Sequence, residues 1–116
     1  MNREIKFRGF QKSWIYGGIS IFQNEAAIFD INCVANSAYE VDIKSVGQFT
    51  GLKDVENNEI FEGDIILGYN NPHVVTFADG AFYLTYNNSS VRLSITCGAL
   101  QIIGNIFHNS DLLQSS

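Results

Sequence analysis

A chain of 116 residues with a formal charge of −5, 46% hydrophobic and 16% charged residues, is long enough for a real core and too apolar to be a disordered tail. Binding to nucleic acid by bulk charge is disfavoured, because neutralising phosphate needs clustered Lys and Arg. No apolar run nears the ~20 residues a membrane helix requires, and the opening Met1-Asn-Arg-Glu-Ile-Lys predicts no secretory signal.

The N-terminal stretch alternates with a period of two, the signature of a strand: Ile5 and Phe7 interleave with Glu4, Lys6 and Arg8. Arg3, Lys6, Arg8 and Lys12 face only Glu4, and Trp14 and Tyr16 follow closely. Cations beside aromatics suit single-stranded nucleic acid, which stacks its bases above a charged track. Arg3, Lys6, Arg8, Lys12 and Trp14 are therefore the candidate binding residues. The plainer reading is an amphipathic strand with a solvated charged face and Trp14 in the core. Gly17-Gly18 reads as a turn and residues 26–36 as a strand. A boundary near Lys44-Ser45 divides a β region over 1–44 from a second region over 45–116.

Residues 54–91 contain no Lys or Arg and six acids. Asp54, Glu56 and Asn58 fall at the first, third and fifth places of a calcium loop. Glu59 stands where that loop needs Gly, and Ile65 where it needs a bidentate acid, so a polar hairpin turn is expected instead. Glu62 and Asp64 read as two solvated acids at a strand start. Asp79-Gly80 supplies the positive-φ pair of a tight hairpin, pairing 73–78 with 81–86. Asn87-Asn88-Ser89-Ser90 would then lead into a third strand over 91–96, making a meander. Residues 102–107 are apolar enough for a strand buried on both sides, and Asn109 or Ser110 is placed to cap a single turn through Leu113. Gly51, Gly63 and Gly104 read as bulges or close approaches. No internal repeat is visible.

Chemistry finds little purchase. His73, His108, Cys33 and Cys97 show no ligand spacing, so no metal is expected. Two cysteines are too few for a disulfide framework and read as reduced thiols, their pairing left open. No nucleophile elbow, phosphate loop or cofactor motif is present. The expectation is a protein that is not an enzyme and takes no cofactor.

Four motifs in order carry a family likeness: Arg3-Glu4-Ile5-Lys6-Phe7-Arg8, then Gly47-Gln48-Phe49-Thr50-Gly51-Leu52-Lys53-Asp54, then Asn58-Glu59-Ile60-Phe61-Glu62-Gly63-Asp64-Ile65-Ile66, and finally Ile103-Gly104-Asn105-Ile106-Phe107-His108-Asn109. Together they resemble the YopX family of bacteriophage and prophage proteins. Asn57-Asn58 stands where an Asn-Gly turn is usual, Ser110 where a proline often follows, and residues 17–44 match little. The resemblance implies an all-β, mainly antiparallel protein whose C-terminal part is a small SH3-like barrel, preceded by an N-terminal β region. It also implies a cytoplasmic place in the host bacterium and supplies no catalytic residues. The function expected is a non-enzymatic interaction protein of phage or prophage origin, binding a host or phage protein or itself and no membrane. Single-strand nucleic-acid binding through the basic N-terminal strand is the alternative.

Overall fold

The computed structural model describes residues 5–30, 37–68, 70–93 and 100–113. Arg3, Cys33 and Cys97 lie outside them. The protein is all-β and antiparallel, and it divides into two compact units, Met1–Phe49 and Thr50–Ser116.

The first unit runs β1 (Phe7–Phe10), β2 (Trp14–Phe22), β3 (Glu25–Asp30), β4 (Ala38–Val41), a 3-10 turn (Ile43–Ser45) and the start of β5 (Gly47–Lys53). Its strands lie in the order β4-β3-β2-β1-β5. The β2–β3 hairpin turns on Gln23 and Asn24, both at positive φ (50° and 68°), as a two-residue turn between twisted strands requires. Gly17 and Gly18 are not a turn: both lie inside β2, opposite Asp30 and Phe29. Alternation then sorts the side chains. Ile15, Ala26, Ile28 and Val41 bury on one face, with Phe7, Ile19, Tyr39 and Val46 packed around them. Each large aliphatic buried this way contributes about 1.5–3 kcal/mol.

The unit's far strand is fastened back to its first. The Asp42 amide donates to the Phe10 carbonyl (2.9 Å), and the Phe10 amide donates to Ser45 Oγ (2.7 Å). Asp42 Oδ1 in turn accepts from the Lys44 amide and caps the 3-10 turn.

In the second unit the later part of β5 neighbours β6 (Glu59–Phe61), and Thr50 Oγ1 donates to the Ile60 carbonyl (2.8 Å). There follow β7 (Asp64–Gly68), β8 (Asn71–Ala78), β9 (Ala81–Tyr86), β10 (Ser89–Arg92) and β11 (Gln101–Asn105), then a one-turn helix α1 (Ile106–Asn109) and a 3-10 turn (Ser110–Leu113). The sheet order is β10-β9-β8-β7-β11. Ile60, Ile66, Val75, Phe82, Leu84, Leu93 and Leu100 make the core. Asp79-Gly80 is the expected hairpin, with φ of 51° and 78°. The next turn is tighter than expected: Asn87 takes positive φ, and Ser89 and Ser90 already belong to β10.

β11 is an edge strand, so Ile103 and Ile106 stay exposed and the segment is not buried on both sides. The terminal helix also starts earlier than its capping pattern implied: Asn105 Oδ1 accepts from the His108 amide. Among the described residues this sheet is open, with β10 and β11 as its two edges.

Both units use one plan, a four-stranded meander whose fifth strand returns beside the first. That is the strand order of an SH3-like barrel, and it occurs twice. Phe7 pairs with Gln48 and Asp64 with Asn105, equal separations along the chain; the neighbouring pairs Arg8–Gly47 and Ile65–Gly104 agree. Gly47 and Gly104 coincide in this register, while the strands around them share almost no residue types. The repeat is one of topology, hidden from the sequence.

Candidate functional site

The basic strand does not present a solvated charged face. Lys6 and Arg8 are only 7% and 8% exposed, and Ile5, expected to turn inward, is exposed. The Lys6 ammonium sits 4.9 Å from the centre of the Phe49 ring, and the Arg8 guanidinium 4.5 Å from that of Trp14. Cation–ring attraction of this kind is worth about 2 kcal/mol when water is excluded. Trp14 is half-buried and also meets Phe10 edge-on, with ring centres 5.3 Å apart. Lys12 is exposed in the β1–β2 turn. The structure therefore brings Arg8 together with Trp14 and gives Lys6 an aromatic partner of its own. It leaves Lys12 on the surface.

Two of the six acids of the acidic segment, Asp54 and Asp64, are buried and hold the architecture. Asp54 Oδ1 accepts from the amides of Glu56 (2.9 Å) and Asn58 (2.8 Å), and Oδ2 from the amide of Ile102 (3.1 Å). Burial alone would raise its pKa, but the donors of Asn58, Ile102 and Glu56 outweigh it and hold the carboxyl below its ordinary value. Asp64 is buried, not solvated, and accepts from the Phe61 amide (2.7 Å) across the turn at Gly63, whose φ is 94°. His73 is likewise buried, with Nδ1 2.9 Å from the Asn71 carbonyl. Among the described residues no group of three His, Cys, Asp or Glu side chains is placed to hold a metal ion. None of their helices is long and apolar enough to cross a membrane.

What the structure does expose is one face of β2, β3 and β4. Cross-strand partners share a face, so Gly18, Phe29 and Ala38 form one row, Ser20, Ala27 and Glu40 the next, and Phe22 and Glu25 the last. Phe22 is 70% exposed and Phe29 45%, with small residues between them. A Cβ added at Gly18 would meet nothing within 4 Å. Phe22 and the residue opposite Phe29 are four positions apart on β2, about 13 Å along the strand. The face is thus a shallow saddle with an aromatic ring at either end. Just beyond it, on the opposite face of β2, Ile21 is also exposed. A cleft of about 350 Å³ opens beside the hairpin, lined among others by Phe10, Glu25, Glu40, Val41 and Asp42.

Reading the sequence for chemistry missed these residues. A signal was present: in Gly18-Ile19-Ser20-Ile21-Phe22, ahead of the Gln23-Asn24 turn, bulky apolar residues fall on both faces of one strand, more than a single core can cover.

The model of the YopX protein family matches residues 6–114. The chain belongs to the YopX family. The solved structures similar to this YopX chain include that of protein EF1440 from Enterococcus faecalis, which aligns with a TM-score of 0.63 over 97% of this chain and 100% of its own, at 23% identity. That likeness shows a shared fold. No curated protein matches.

Proposed function

We propose that this YopX chain is a non-enzymatic interaction protein of phage or prophage origin, acting in the bacterial cytoplasm by binding a host or phage protein or a second copy of itself. The supporting observation is the saddle on β2–β4, where Phe22 and Phe29 stand in solvent on one face of adjacent strands. Exposed aromatic surface costs solubility, and such contiguous apolar patches mark interaction sites more often than chance.

Single-strand nucleic-acid binding through Arg3, Lys6, Arg8, Lys12 and Trp14 is the weaker reading. Two of those cations are buried against rings, where phosphate would have to displace protein.

The test is affinity capture on the tagged chain from lysate of a host carrying the element, with and without nuclease. It is run beside the Phe22→Ser/Phe29→Ser variant. A protein retained after nuclease and lost with the variant supports the reading. Loss of all captured material with nuclease transfers the role to nucleic acid.

A further inference from the structure

We infer that the saddle on β2–β4 takes a basic, apolar polypeptide segment of a different protein rather than a second copy of this chain. This rests on the interaction reading above and names the chemistry of the partner. Three features converge on it. The rows of the face alternate bulk and charge: Phe22 lies opposite Glu25, and Ala27 between Ser20 and Glu40. No Lys or Arg stands on these rows, and none lines the adjoining cleft. Glu25, Glu40 and Asp42 all line the cleft, and Asp42, although it accepts from the Lys44 amide, keeps its charge, so three carboxylates face a ligand there.

An arginine suits this arrangement better than any other side chain. Its planar guanidinium bonds a carboxylate edge-on while its face stacks on an aromatic ring, and Phe22 and Glu25 are cross-strand neighbours. Apolar residues on either side of that arginine would settle over Ala27 and against Phe29. A second copy is the poorer occupant. Placing the face against itself brings acids toward acids, while the cation that the neighbouring β1 adds to this face, Arg8, is buried against Trp14; like charges at a desolvated contact work against association.

The experiment uses the full chain, isotope-labelled, titrated with a capped peptide alternating Arg and Leu. Two control peptides replace Arg by Glu or Leu by Ser. The Arg–Leu peptide should shift the amide resonances of residues 20–29 and 38–42 and outbind both controls. Glu25→Gln/Glu40→Gln should weaken it by about tenfold or more, and Asp79→Asn, an acid outside the saddle and its cleft, should leave it nearly unchanged. All these sites are on the surface, so the variants keep the fold. Equal binding of the Glu-containing peptide, undiminished binding to Glu25→Gln/Glu40→Gln, or shifts confined elsewhere would overturn the inference.

Light scattering separates this failure from failure of the broader reading. A dimer that Phe22→Ser dissolves would overturn the basic-partner inference and leave the saddle as an interaction surface. A captured partner that Phe22→Ser/Phe29→Ser does not release would remove the saddle from both.

Discussion

Gly9 and Val41 are in direct contact: a Cβ placed on Gly9 would fall 2.5 Å from Val41 Cγ2 and 3.1 Å from Ile28 Cγ1. The first strand of the N-terminal unit therefore has to pass bare backbone beneath the side chain of the fourth. Gly9→Ala should destabilise the protein by about 1–3 kcal/mol through overpacking. Gly9→Ala/Val41→Ala, which removes the obstructing methyls, should lose less than the two single changes added together. Urea denaturation of the four proteins measures this coupling, and strict additivity would place the strain elsewhere.

Gly80 presents the opposite case. Its φ is +78° and a Cβ there would meet nothing within 4 Å, so the demand is purely one of backbone conformation. Gly80→Ala should cost about 1–2 kcal/mol, and Gly80→Asn distinctly less, because Asn tolerates the left-handed region. Thermal melts of both variants decide the point; equal losses would mean the turn is not what sets the cost.

Asp54 links acid to unfolding. Burial opposes its charge, yet three backbone donors more than compensate and its folded pKa lies below the unfolded value of about 3.9. Its contribution is therefore fully present above pH ~4 and fades as the pH falls through the lower folded pKa. Asp54→Asn, which keeps one acceptor oxygen, should be less stable at neutral pH by about 1–3 kcal/mol. It should also show a shallower loss of stability below pH ~4. Parallel acid titrations in fixed urea would contradict the assignment.

Phe22 lies outside both cores. Phe22→Ser should change stability by less than about 0.5 kcal/mol, as surface substitutions away from special features do. Its effect belongs to association: aggregation at high concentration should fall, followed by light scattering against temperature. A large drop in melting temperature would mean that the ring packs in the fold.

Trp14 is the single tryptophan of the chain and already has Arg8 across its ring. Titration with a single-stranded oligonucleotide at low salt should leave its fluorescence flat. Quenching that disappears steeply with added salt would restore the nucleic-acid reading.

The local features were legible in the sequence. Asp79-Gly80 needs only its own φ preferences to set a hairpin. Four motifs were enough for the family. Alternation says which residues share a face but not which face meets water, and on β1 Phe7 packs on the core as expected while the charged face opposite is covered too. Lys6 and Arg8 go inside because Phe49 and Trp14 supply rings for them, and the Phe49 pairing joins segments far apart in sequence. Asp64 misled for a related reason. An acid beside a glycine turn reads as solvated until the Phe61 amide it accepts from is in view. The saddle stayed hidden because an exposed phenylalanine and a buried one are spelled alike.

The repeated strand order bears on how the chain comes off the ribosome. Every strand segment that β1 pairs with lies at or before Lys53, ahead of Asp64 of β7 in the chain, and the last partner of β7 ends at Asn105. Closing a long loop to pair distant strands is the slow step of β-protein folding. Here that step is divided into two shorter closures taken in succession, so a nascent chain can pair five strands of its first sheet without waiting for its C-terminal half.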